Sequence, residues 1–142
     1  MVGSAILRKL SDLDYVNLVF KTSSELDLTN QNSVNDFFKQ EQPEVVIDAA
    51  AKVGGILANN TYRAEFIYEN LMIQSNLLKA ALDNNIKQTI FLGTSCIYPK
   101  YAKTPIKEKY LLTGNLEKSN ESYAISKISG IKLCEAMYKQ YG

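Results

Sequence analysis

The chain has 142 residues, a length that suits one domain with a useful core, and its 46% hydrophobic and 22% charged content is ordinary for a soluble globular protein. A formal net charge of +1 argues against binding nucleic acid or a membrane surface by bulk electrostatics. There is no histidine, which excludes histidine metal sites, histidine-dependent hydrolysis and histidine acid–base catalysis for this chain acting alone. Cys96 and Cys134 stand in neither a CxxC nor a metal spacing, which fits a reducing compartment and no metal site. No apolar run approaches the length of a membrane span and the N-terminus shows no signal-peptide pattern, so cytoplasmic residence is the expectation.

In chain order, Val2, Ala5, Ile6 and Leu10 fall at helical spacing. Tyr15 to Lys21 reads as a short buried strand, and the SSELDLTN after it as a polar turn. Ser33 opens a helix over NSVNDFFKQ: Asp36 three residues on gives a capping-box-like start, Val34, Phe37 and Phe38 give an apolar face, and Pro43 ends the element. Glu44 to Ala51 is a continuous apolar strand with one aspartate, as expected in a parallel sheet covered on both faces. It leaves through Gly54 and Gly55, where small residues either let backbone approach a ligand or form a flexible loop.

Asn59, Asn60 and Thr61 offer an N-cap for a long helix ending near Asn84. Phe66, Asn70, Ile73, Leu77 and Ala81 fall on one of its faces, and Ile67, Leu71, Leu78 and Leu82 on another, so it must be covered twice. Gln88 to Gly93 is a further strand, and Tyr101 to Leu116 a polar loop with Pro105 and Gly114, suited to a lid or a substrate-facing connection. Asn120 caps a last helix with Ile128, Ile131 and Cys134 as its core stripe, and Gly130 allows close packing. Strand and helix patterns alternate, which predicts a doubly wound α/β sheet.

The chemistry concentrates in FLGTSCIYPK and NESYAISK. Tyr123 and Lys127 are four residues apart on the last helix, which puts phenol and ammonium on one face. A neighbouring positive charge favours the phenolate and lowers the tyrosine pKa from about 10, so that the phenol can exchange a proton near neutral pH. Thr94 or Ser95, at the end of the preceding strand, supplies a hydroxyl to orient a substrate carbonyl or alcohol. YxxxK alone is weak, because most such pairs are solvated helix surface; the order of strand, hydroxyl-bearing turn, Tyr98-Pro99, loop and helix strengthens it.

These segments, together with AAAKVGGILANNTYRAEFIYEN, resemble the extended short-chain dehydrogenase/reductase family and, within it, the GDP-L-fucose synthases, from Met1 to Gly142. The resemblance implies a partial NAD(P)-binding domain over residues 1–142. Its fold would be a partial Rossmann-like doubly wound parallel sheet, with the first strand, its glycine turn and the C-terminal substrate domain not represented in the sequence. It implies NADP as cofactor and a GDP-sugar substrate, converted by 3,5-epimerisation and NADPH-dependent 4-keto reduction. The implied assembly is a homodimer through helices 60–84 and 121–141, with no nucleic-acid or membrane partner.

Residue by residue, the resemblance makes Thr94 the catalytic hydroxyl, four positions before Tyr98, with Ser95 as runner-up. Tyr123 is the proton donor, Lys127 the ribose-binding lysine, and Cys96 the acid/base of epimerisation. It places cofactor contacts at Val2 and Gly3, at Ser23, Asp27 and Leu28, at Ala50, and at Leu92, Gly93, Thr94, Ser95 and Lys127. Gly3 matches the last glycine of the dinucleotide fingerprint, and Ser23 stands where the family often has a basic residue, with Lys21 the nearest cation. Without the glycine turn that presents backbone N–H groups to the pyrophosphate, the chain by itself is expected to be inactive. The alternatives are a non-enzymatic remnant able to pair with a full-length relative, or another nucleotide-sugar epimerase or dehydratase.

Overall fold

In the computed structural model, which describes residues 1–142, two of the apolar runs meet as a parallel pair. Strand β1 (Val45–Asp48) lies beside β2 (Gln88–Phe91), with Val45 opposite Gln88 and Asp48 opposite Phe91. Both are shorter than their apolar runs. β1 ends where Asp48 Oδ1 accepts the Ala50 N–H at 3.0 Å, an Asx turn that takes the backbone out of the ladder.

The remaining regular elements are helices α1 (Val2–Asp12), α2 (Gln31–Glu41), α3 (Ile56–Thr61), α4 (Arg63–Asp83) and α5 (Glu121–Tyr141). A parallel strand pair needs a crossover, and α4 provides it. Strand parity puts Val46 and Asp48 on one face of the sheet. Val46 packs towards α2 and α4, and Phe91, opposite Asp48, lies under α5. Helix α1 meets the chain just past β1, where a Cβ on Gly3 would sit 3.6 Å from that of Ala49.

The expectation that α4 is covered twice holds. On one side Leu77, Ala80 and Ala81 form a buried cluster with Val34 and Phe38 of α2, in which burying each of Val34, Phe38 and Leu77 is worth about 1.5–3 kcal/mol. On the other side α4 runs along α5. Three amides are buried in α4, and each is anchored, because a buried amide without partners is costly. Asn76 Nδ2 donates to the carbonyls of Leu28 and Thr29 at 2.9 and 3.0 Å, tying the polar turn to the core. Asn70 clamps Lys52 through both backbone groups, accepting its N–H at 2.9 Å and donating to its carbonyl at 3.0 Å.

Four local expectations are corrected. The cap of α2 is Asn30, whose Oδ1 accepts the Ser33 N–H at 3.1 Å, so the helix starts ahead of the Ser33–Asp36 pair. Asn59, Asn60 and Thr61 lie inside α3 and do not cap α4. The buried Asn59 amide donates to the carbonyls of Gly54 and Gly55 at 2.8 and 3.1 Å, fixing the glycine loop, and the chain breaks at Tyr62 before α4 begins. Asn120 occupies the N-cap position of α5 but makes no side-chain cap bond.

The fourth is the largest. Tyr15–Lys21 forms no strand, and Val16 and Phe20 are 86% and 63% exposed. No neighbouring strand offers this stretch a ladder, so its apolar residues gain nothing from an extended geometry. The outer edge of β1 is likewise open, with Val45 exposed.

Candidate active site

β2 delivers the site. Leu92 N–H still bonds the Asp48 carbonyl at 3.4 Å. The chain then passes through Gly93 and Thr94, which is extended, into a single 3-10 turn over Ser95–Ile97 pinned by buried Ile97. This turn packs against α5. Thr94 Oγ1 and Cys96 Sγ are 3.2 Å apart, close enough for either to donate to the other. Ser95, between them in sequence, is exposed.

On α5, Tyr123 sits in the first turn, half-buried, and Lys127 one turn on, 4% exposed. The Lys127 ammonium stands over the Phe91 ring, 4.5 Å from its centroid, a cation–π contact. Ser126 Oγ donates to the Tyr123 carbonyl at 2.7 Å, and buried Gln74 of α4 donates to the Ser126 carbonyl at 2.7 Å and to Ser129 Oγ at 3.0 Å. The turn that carries both side chains is therefore fastened to α4. The closeness of α5 to the sheet depends on Gly130: a Cβ there would lie 2.5 Å from Cζ of Phe91 and 2.9 Å from Gln74 Oε1.

Electrostatics link the four residues. Burial pushes the Tyr123 phenol up, and the neighbouring Cys96 thiol pushes it the same way. Burial pushes the Lys127 ammonium down, opposed by Asp48 and then Cys96. This corrects the expectation that Lys127 lowers the tyrosine. The reason is geometric: the ammonium is directed to the Phe91 ring and the Asp48 side, and the ionisable group that acts on the phenol is Cys96.

The remaining positions are spread out. Ala50 lies just beyond β1, in the Asx turn, and Val2 and Gly3 open α1 near Ala49. Ser23 is exposed in a turn closed by Thr22, whose N–H and hydroxyl donate to Glu25 at 2.8 and 2.6 Å. The Asp27 carboxylate is engaged locally, accepting the Thr29 hydroxyl at 2.7 Å and N–H at 2.9 Å, which holds its pKa below the usual range. Leu28 turns its side chain into the α2–α4 core. Thr94, Cys96, Tyr123 and Lys127 thus converge, while the 23–28 turn stays apart from them. Sequence reasoning passed over Asp48, Phe91 and Gln74. The only signal for Asp48 was a lone charge in an apolar strand.

The model of the NAD dependent epimerase/dehydratase family matches residues 1–142. The chain belongs to this family. Among curated members it is 58% identical to GDP-L-fucose synthase 1 of Arabidopsis thaliana, over 100% of the chain and 44% of that protein. It is 56% identical to GDP-L-fucose synthase of Escherichia coli K12, over 100% of the chain and 44% of that protein. Among solved structures of the family, MlghC, a GDP-mannoheptose C4 reductase from Campylobacter jejuni with NADP bound, superposes with a TM-score of 0.94 at 46% identity, covering 99% of this chain and 44% of that one. The chain thus spans under half the length of these family members, and the fold expected of a partial Rossmann-like unit is the one found.

Proposed function

We propose that this chain is the cofactor-binding and catalytic portion of a GDP-L-fucose synthase. The reaction is conversion of GDP-4-keto-6-deoxy-D-mannose to GDP-L-fucose by 3,5-epimerisation and 4-keto reduction. The observation that carries this reading is the convergence of Thr94, Cys96, Tyr123 and Lys127 between β2 and α5 in a chain similar end to end to such synthases.

NADP is the cofactor of this reading, and when reduced it supplies hydride to the C4 carbonyl. The residues present fit it. Lys127 is buried yet bonded to no protein acceptor, so its N–H donors are free for ribose hydroxyls. Val2 and Gly3 at the start of α1, Ala50, and the Leu92–Ser95 segment line the same strand ends, where open α/β sheets bind ligands. Ser23, Asp27 and Leu28 would meet the adenosine end. Leu28 would do so through backbone, since its side chain is in the core.

Thr94 Oγ1 orients the C4 oxygen and Tyr123 donates a proton to it as the carbonyl becomes an alcohol. A half-buried phenol with a raised pKa is held in the proton-bearing form this step uses. Cys96 is one of the two acid/base groups that epimerisation at C3 and C5 needs, because inversion takes a proton from one face and returns it to the other. The second is a histidine in this reading, and this chain holds none. The contact of Cys96 with Thr94 supports this reading, because thiol and hydroxyl stand side by side.

We further propose that α4 and α5 pair with the same helices of a second copy. The exposed apolar side chains Tyr68 on α4 and Ile125 on α5 support this. Residence in the cytoplasm fits two free cysteines, and no helix is long and apolar enough to cross a membrane.

A second reading, in which the chain by itself is a non-enzymatic partner of a full-length relative, is favoured by two features: the 15–21 stretch has no strand to pair with, and the outer edge of β1 is open. The deciding experiment is NADPH titration of the purified chain, followed by addition of GDP-4-keto-6-deoxy-D-mannose. No saturable binding by folded protein is the expected result for the chain alone. Saturable binding followed by NADPH oxidation that Tyr123→Phe lowers at least ~100-fold would make the chain a minimal reductase and overturn the second reading.

A further inference from the structure

Asp48 is a buried acid that the reaction above does not use. It closes an apolar strand, VVID, at 1% exposure. Its Oδ1 accepts the Ala50 N–H, but Oδ2 is buried with no hydrogen-bond partner. A carboxylate in such a place is unfavourable unless a positive charge lies near it. Directly opposite Asp48 in the sheet register is Phe91, and over the ring of Phe91 stands the ammonium of Lys127, itself 4% exposed and unpaired. One acid and one base are thus buried on facing elements, β1 and α5, and neither makes an ion pair. They form no direct ion pair, so the interaction acts through space across the Phe91 ring edge, in surroundings where charges are poorly screened.

We infer that Asp48 is the counter-charge of Lys127, a positioning residue that keeps the ammonium seated over the Phe91 ring. The inference rests on the proposed role of Lys127 in the cofactor site, and deepens it. Asp48 touches no reacting atom. The ionisable groups around the pair are few: Lys127 and Cys134 face Asp48 from α5, and Cys96 faces Lys127 from the turn after β2. Burial drives Lys127 towards its neutral form, and the field of Asp48 is the first influence opposing it. Reciprocally, Lys127 pulls the Asp48 carboxyl down against the rise that burial imposes. Burial raises the Cys134 thiol, and the same carboxylate acts in the same direction. A single strand residue thereby acts on the charge of two side chains of α5.

The test is a reciprocal titration by NMR on the chain without cofactor or substrate. With lysine labelled at 13Cε, the Lys127 signal is identified by its loss in Lys127→Met. In Asp48→Asn its titration midpoint is expected to move to lower pH, while the other lysines stay in place. With aspartate labelled at the carboxyl carbon, the Asp48 signal is identified by its loss in Asp48→Asn. In Lys127→Met its midpoint is expected to move to higher pH. A merely structural role for Asp48 would move neither. If Asp48→Asn does not fold, the Asp48 signal is assigned through its backbone correlations and the Lys127→Met arm decides alone. An unchanged midpoint in a folded variant overturns the inference. Because neither arm involves NADPH, the outcome of the NADPH titration decides between the two functional readings and leaves this result standing.

Discussion

Two regions of this molecule obey opposite rules. Between α4 and α5, contacts are so close that one added methyl group at Gly130 would intrude on Phe91 and Gln74. From Tyr15 to Phe20, apolar side chains of the same kinds lie open to solvent and no strand forms. The hydrophobic patterns of both are strong. Helices satisfy their backbone internally and need only a face to lean on, whereas a strand needs a neighbour's N–H and C=O groups. In the proposed reading Tyr123 and Lys127 stand in the first region, and the turn that carries Ser23 follows directly on the second.

The comparison can be tested by substitution and urea denaturation. Phe38→Ala, in the cluster that α4 shares with α2, is expected to lose about 3–5 kcal/mol through lost burial and a residual cavity. Gly130→Ala should lose about 1–3 kcal/mol by overpacking. Its Lys127 signal should also shift, because the ring under the ammonium must move. A neutral Gly130→Ala would mean that α5 is not held as tightly as its contacts imply.

Stability should also depend on pH in a way that reads the site. Burial raises the Asp48 carboxyl, so the folded state keeps a proton that the unfolded chain has released above about 3.9. Stability therefore falls as pH rises from that value through the higher folded one, and Asp48→Asn should flatten this limb of a urea-midpoint profile. Lys127 is shifted down, so stability should rise again as pH climbs from its lowered folded pKa towards about 10.4. The smallest effect is expected at Phe20→Ser, within about 0.5 kcal/mol. A loss there as large as at Gly130 would show that the 15–20 stretch is packed in solution and would erase the contrast.

The sequence by itself determined four of the five helices, all but α3, together with the strand–helix–strand order and the cluster of candidate catalytic residue types. Periodicity and the spacing of Tyr123 to Lys127 are local properties, and they survive in the structure. It also anticipated the double coverage of α4 and the tight packing at Gly130. Tertiary structure decided what depends on partners. Tyr15–Lys21 is no strand because nothing lies beside it to complete a ladder. Asn59 turns back to hold the glycine loop, since those carbonyls are its nearest acceptors. The direction in which Lys127 acts was also beyond sequence: spacing put it on the face of Tyr123, but the ring of Phe91 and the buried charge of Asp48, brought together by strand register, drew the ammonium to themselves.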